Sequence, residues 1–295
     1  MPASRSLLMP VLATLLGLAL FSAMDGLMKA ASIALGAYSA ILWRNLLGAG
    51  MMAPLWLWRR RRWPSRPALR LHLIRGTVVA GMSVTFFYGL VRTPMAEAMA
   101  LSFIAPLIAL YLAAVLLGEE VGRRAVTGSV MALGGVGVIA LGKFSTGSYD
   151  TEAMKGLVAV LVSAAFYGWN LILQRQQAQL AVPEEIAFFQ PLVVFAIAVL
   201  AAPWLAVWPA PTEWSWLAAA AVITSASLLL LSWGYARAEA QILVPLEYTA
   251  FIWAALVGWL AFGEPLTAAT VAGVVLIVAG CLVAAPKQEK AEIPA

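Results

Sequence analysis

Apolar residues run through this chain in continuous blocks of about 20, and charged residues stand mostly between the blocks. About 20 apolar residues are what a helix needs to cross the hydrocarbon of a bilayer. Ten such blocks are readable, at 9–33, 38–58, 72–91, 95–117, 124–142, 156–175, 185–205, 214–236, 241–262 and 268–285. No connection between them is long enough to hold a soluble domain. Pro94, Pro183, Pro245 and Pro265 fall at or near block starts, where a missing N–H is tolerated. Pro106 and Pro191 fall inside blocks and are expected to kink them. The first block follows Arg5, as the apolar part of a cleaved leader would. It carries Asp25 and Lys29, however, and the repeat described next requires it as a helix.

Sliding the chain against itself by 145 residues aligns its halves without a gap. Asp25 falls on Asn170, Lys29 on Gln174 and Asn45 on Gln190. Trp63-Pro64 meets Trp208-Pro209, Gly89 meets Gly234, and Arg92 meets Arg237. Gly118-Glu119 meets Gly263-Glu264, while Gly128 and Gly135 meet Gly273 and Gly280. Apolar matches would mean nothing in so apolar a chain, but matches at Gly, Trp-Pro, Arg and Glu do. A unit of five spans is odd, so its second copy enters the membrane from the opposite side. The expected fold is all-α and integral to the membrane, with ten transmembrane helices as two inverted five-helix repeats. Such repeats are common in secondary transporters, with the substrate held near the midplane between the copies. The expected divisions are 1–142 for the first copy, 143–155 for an external linker, 156–286 for the second copy and 287–295 for a cytoplasmic tail.

Basic residues in the connections set the orientation. With the N-terminus in the cytoplasm, the inside holds Arg5, the seven arginines from Arg59 to Arg75, Arg123, Arg124, Arg175, Arg237, Lys287 and Lys290. The outside holds Arg92, Lys143 and Lys155. A bias of fourteen to three puts both termini in the cytoplasm. The run Arg59 to Arg62 reads as an anchor on anionic lipid.

Composition agrees with the spans. Hydrophobic residues make up 63% of the 295 positions and charged residues 11%, against roughly 25% charged in soluble domains. A single Cys, Cys281, and a single His, His72, exclude a Cys/His metal cluster and leave no nucleophile–histidine arrangement. No phosphate-binding or dinucleotide glycine motif is present. The sequence therefore predicts neither an enzyme nor a cofactor. The net charge of +5 sits beside membrane spans, which implies lipid contact and not nucleic-acid binding.

With these residues in view, the chain resembles the drug/metabolite transporter superfamily and, within it, the ten-helix EamA family. The motifs lie in the fourth and fifth spans, from Ala96 to Gly142 with Pro106, Leu117-Gly118-Glu119 and the glycines that follow. They recur in the ninth and tenth spans as Phe262-Gly263-Glu264-Pro265-Leu266, Gly273 and Gly280. Arg44 matches the arginine the family usually has in its second span. Phe251 stands where Pro106 predicts a proline, and Pro245 lies six residues earlier, so the kinks of the two copies are not expected to coincide. The resemblance implies export or uptake of amino acids, related metabolites or drugs across a bacterial inner membrane. The type it suggests is that of the bacterial aromatic amino-acid exporter. It also implies that the fifth and tenth spans pack as a supporting pair or as a homodimer face.

Charge inside a bilayer is costly and normally faces a cavity or a partner. Asp25 and Lys29 are four apart and share a helix face. With Arg44 and Glu97 they form a candidate outer cluster that gates the external mouth; alternatively Asp25 and Lys29 merely neutralise each other. The second copy has the amides Asn170, Gln174 and Gln190 at matching places. Its intramembrane acid is Glu247, which either binds a substrate amine or a proton, or pairs with Arg237 or Arg175. Tyr88, Trp169 and Tyr248 are the aromatics proposed to line a central cavity and stack on a substrate. The alternative for each is ordinary packing. Glu119 and Glu264 are expected to cap helices or bridge to neighbouring loops. The glycines of the fifth and tenth spans are expected to flatten helix faces for close approach. Both signs of charge suit a zwitterion such as an amino acid. Competing readings are an uncoupled facilitator or channel, separable by accumulation against a gradient, and a non-transporting scaffold, for which antisymmetric halves have no use.

Overall fold

The structure, a computed structural model, describes residues 8–59, 63–117, 123–145, 151–178, 180–235, 237, 243 and 246–284. Among the described residues every regular element is a helix. In chain order they are α1 (Leu8–Leu35), α2 (Ala37–Arg59), α3 (Arg66–Leu90), α4 (Met95–Ser102), α5 (Ala105–Leu117), α6 (Arg123–Ser145), α7 (Thr151–Ala178) and α8 (Pro183–Ala198). After a short 3-10 turn come α9 (Ala202–Leu205), α10 (Pro211–Tyr235), α11 (Ala250–Phe262) and α12 (Ala268–Ala284). Among the described residues five segments are long and apolar enough to cross a membrane: Leu8–Leu35, Arg66–Leu90, Thr151–Gln174, Pro183–Leu205 and Pro211–Leu231. Shorter apolar helices accompany them. Large side chains such as Leu133, Leu141, Leu200, Leu229 and Leu260 face outward, which suits lipid and not water.

The 145-residue offset is visible in the helix ends. Shifting Arg66–Leu90 gives Pro211–Tyr235, and shifting Ala105–Leu117 gives Ala250–Phe262. The packing is crosswise. α1 lies on α10 and α3 on α7, which are the first and third helices of opposite copies. α2 lies on α8, and α6 on α12. A two-fold axis between inverted copies requires this pairing.

Two local expectations need correction. The block 95–117 is not one kinked helix: it breaks into α4 and α5 across Phe103 and Ile104, whose N–H groups reach back to Ala100 and Leu101 at 3.2 and 3.3 Å. Pro106 therefore sits in the first turn of α5, where it is tolerated. The same break recurs at Tyr248 and Thr249, the repeat counterparts of Phe103 and Ile104, although Phe251 is not a proline. There Thr249 N–H bonds to Leu246 at 2.9 Å and Phe251 N–H to Tyr248 at 3.3 Å. The two interruptions thus coincide, and they touch: the rings of Phe103 and Tyr248 are 5.2 Å apart at 90°.

The second correction concerns α3, which begins at Arg66 and not near position 72. Ser65 caps it, its hydroxyl accepting from Ala68 N–H at 3.4 Å, with proline in the first turn. His72, expected at the very start of the span, and Arg75, counted with the basic residues of the connection, are consequently well inside the helix and buried.

The glycines of α6 and α12 behave as expected of a supporting pair. Gly135 faces Gly273, and Gly128 faces Gly280, so closely that a Cβ on Gly273 would lie 2.8 Å from the Gly135 carbonyl. The counterparts Gly118 and Glu119, and Pro245, lie outside the described residues.

Candidate functional site

The α1 helix carries a buried polar stripe. Ser22, Asp25, Lys29 and Ser32 are spaced three or four apart, share one face, and are all buried. At this depth each needs a partner from another helix, a ligand or water. The structure divides the stripe into two sites.

The first is at the end of the bundle where α1 terminates at Leu35. Lys29 pairs with Glu264 and donates to the Thr93 carbonyl at 2.8 Å. Its ammonium also stands 5.2 Å from the centre of the Phe262 ring. Glu264 is presented by the end of α11. Gly263 adopts the left-handed conformation, φ 65°, which glycine reaches without strain, and turns the chain so that Glu264 points back at α4. There its Oε2 accepts from Met95 N–H at 2.7 Å, an anion at a helix N-terminus. Lys29, Thr93 and Met95 belong to the first copy and Glu264 to the second, so this is a staple between copies. The expectation that Glu264 caps and bridges therefore holds, and it is itself part of the polar cluster. Lys29 and Asp25 do not simply neutralise each other. Glu97 lies alongside: the Thr270 hydroxyl donates to its Oε1 at 3.4 Å.

The second site is deeper. Asp25 interacts electrostatically with Arg44 of α2, yet no hydrogen bond links them. The buried Arg44 Nε and Ser22 Oγ have no hydrogen-bond partner among the described residues, nor has the indole N–H of Trp253. Val257 meets Gly26 of α1, so Trp253, one turn before it, is level with Ser22. Opposite charges and unsatisfied donors thus converge where the two copies face each other.

At the opposite end α7 carries the counterpart stripe. Asn170, Gln174 and Gln177 are gathered by one guanidinium, Arg75 of α3. Its Nε donates to Asn170 Oδ1 at 2.9 Å, Nη1 to Gln177 Oε1, and Nη2 to Gln174 Oε1 at 3.5 Å. Gln177 continues to His72 Nδ1 at 2.6 Å, and His72 Nε2 reaches Glu185 Oε1 of α8 at 2.8 Å. His72 is 1% exposed and stacks on Phe189 at 4.7 Å. Sequence reasoning named Asn170 and Gln174 but missed His72, Arg75, Gln177 and Glu185. The Ser65-Arg66-Pro67 start signal would have placed His72 and Arg75 inside α3.

The remaining candidates are dispersed. Tyr88 lies under Arg92, whose guanidinium carbon is 3.6 Å from the ring centre; Arg92 in turn bonds to Glu152 at 2.7 Å. Trp169 is 41% exposed. Gln190 is half-buried on α8 beside Pro191, which packs against Gly48 of α2. Glu247 is half-buried at the second interruption, within electrostatic reach of Tyr167 and Tyr248. The Tyr248 ring packs edge-on against Phe103, whose carbonyl accepts from the Cys281 thiol at 3.2 Å. Tyr248 thus ties the two interruptions together. Among the described residues no group of His, Cys, Asp and Glu could hold a metal.

Crossed pairs of apolar helices, two facing interruptions and buried charge between inverted copies define a multi-pass membrane protein of the transporter class. The model of the EamA-like transporter family matches residues 8–141 and again 154–285. The chain belongs to that family, which places it among transporters. It is 28% identical over 265 residues to the pseudopaline exporter CntI of Pseudomonas aeruginosa, covering 89% of this chain and 90% of that one. An uncharacterized transporter of Helicobacter pylori is 28% identical over 216 residues, 71% of this chain and 72% of the other. A solved crystal structure superposes with a TM-score of 0.62 at 23% identity, covering 93% of this chain and 96% of that one; it shares the fold.

Proposed function

We propose that this protein is a secondary transporter of the bacterial inner membrane, with both termini cytoplasmic, that exports small zwitterionic metabolites of the amino-acid type. The observation that carries this reading is the deep site. Asp25 and Arg44 interact without a hydrogen bond between them, beside buried donors that lack partners. Buried polar groups are normally satisfied. A ligand carrying an ammonium and a carboxylate supplies what Asp25 and Arg44 each lack. The relative named as an exporter supports the direction. Access alternates as the inverted copies exchange conformations; the staple Lys29–Glu264–Met95 closes the outer mouth.

The test is uptake of labelled amino acids, amines and nucleosides into liposomes containing the purified protein. Saturable movement of amino acids, reduced at least tenfold in Asp25→Asn and in Arg44→Gln, is expected. Accumulation against a gradient separates a coupled carrier from a facilitator. Normal transport by both variants would remove the deep site from the mechanism.

A further inference from the structure

The Arg75 network fixes its own hydrogen-bond directions. A guanidinium can only donate, so the Gln177 oxygen must face Arg75, as found. The Gln177 NH2 must then face His72 and donate to Nδ1, 2.6 Å away. The Nδ1 atom is therefore an acceptor, and the imidazole proton lies on Nε2, donated to Glu185 Oε1 at 2.8 Å. One obligate donor has set the tautomer of a histidine on the same helix, through a glutamine on another.

A second proton on this imidazole has one place to go, Nδ1. There it would point at the Gln177 NH2, donor against donor. The amide can receive it only by rotating, and rotation would turn its NH2 onto Arg75. Hence a proton on Nδ1 and the Arg75–Gln177 bond exclude each other. The charged groups that face His72 are Glu185 from α8 and Arg75 one turn on along its own helix; α7 faces it with neutral Gln177. Along the same α3–α7 seam runs an open groove of about 610 Å³, lined in part by Arg70, Leu71, Ile74 and Gln176.

We propose that His72 is a proton-binding site whose occupancy is read by Arg75 through Gln177. When the proton arrives, His72 and Glu185 become an ion pair between α3 and α8, and Arg75 loses its bond to Gln177 on α7. Helix α3 belongs to the first copy, α7 and α8 to the second, so the proton shifts the grip of one copy on the other. Its consequence for transport, coupling to a proton gradient, rests on the transporter reading above; the proton site itself does not.

The chain has one histidine, so 15N-histidine labelling of the full protein in lipid nanodiscs gives a single imidazole to follow. At alkaline pH the Nε2–H tautomer is expected; the Nδ1–H tautomer would overturn the proposal. Gln177→Leu removes the opposing N–H and is expected to raise the proton affinity of His72 at least threefold. If the amide rotates freely and already accepts from Nδ1–H, the same variant lowers the affinity or leaves it unchanged, and the proposal fails. In liposomes, His72→Asn is expected to abolish stimulation by a pH gradient while leaving substrate exchange intact. Retained stimulation would overturn the coupling. If the wild-type protein moves no substrate, the transporter reading fails and the titration alone decides the proton site.

Discussion

Glu264→Gln is the sharpest perturbation of the staple between copies. It keeps the shape of the side chain and removes its charge. In the wild-type structure that charge faces Lys29 and the N-terminus of α4. The Lys29 and Glu264 side chains are 5% and 16% exposed, so the pair is largely desolvated. Removing one partner of a buried pair costs about 3–5 kcal/mol; the residual exposure of Glu264 argues for the lower figure. Because the staple joins the copies only when the Leu35 end is shut, its loss destabilises the shut state selectively. About 3 kcal/mol corresponds to a shift of roughly 100-fold toward opening. Accessibility of a cysteine at position 32, in a Cys281→Ser background, reports on that opening. Ser32 is buried one turn beyond Lys29, and a membrane-impermeant maleimide added from outside should label Cys at this site slowly. Labelling at least tenfold faster is expected when Glu264→Gln is added. The double variant Lys29→Gln/Glu264→Gln should return to within about threefold of the parent, since it removes both charges and places at position 29 the residue that Gln174 supplies in the second copy. Unchanged labelling in a folded Glu264→Gln protein would refute the staple as a gate.

Further outcomes follow from the packing. Gly273→Ala puts a methyl against the Gly135 carbonyl, and overpacking of this kind should cost about 1–3 kcal/mol, seen as a lower thermal midpoint in detergent. Arg92→Ala breaks a pair whose side chains are 27% and 47% exposed, and solvent screening should leave the thermal midpoint nearly unchanged in the same measurement. Arg75→Ala leaves the oxygens of Asn170 and Gln177 without their donor in a buried site, and its thermal midpoint should fall further than that of Arg92→Ala.

The fold was legible because its main signal is redundant. Block length gave the spans, and the offset of 145 aligned polar and glycine positions whose helices do end in register. The Gly128, Gly135, Gly273 and Gly280 faces were readable as packing surfaces for the same reason: glycine in a lipid-exposed helix has little other use. The interruption at Phe103–Ile104 was half-visible through Pro106, but its twin at Tyr248–Thr249 has no proline to mark it. There backbone geometry follows from the symmetric partner and not from local sequence. The site was legible as a set of residue types and not as a set of pairs. Asp25 and Lys29 share a face, yet their partners, Arg44 of α2 and Glu264 of the turn after α11, come from elsewhere in the chain at separations sequence spacing does not encode. Arg75 was hidden by its neighbours, because an arginine five residues after Arg70, itself trailing the run Arg59 to Arg62, looks like more of that run.

The crossed pairing of helices also governs how the molecule is made. The principal partners of α1, α2, α3 and α6 are α10, α8, α7 and α12, all in the second half. When synthesis has reached the connection after α6, the first half already sits in the bilayer with those surfaces still covered by lipid. Asp25, Lys29 and Arg75 are then held in the membrane before Glu264, Asn170 or Gln177 exists. Completion of the second half is therefore less an addition to a finished domain than the docking of one half-molecule onto another. Two separately expressed halves carry, between them, every one of these pairings.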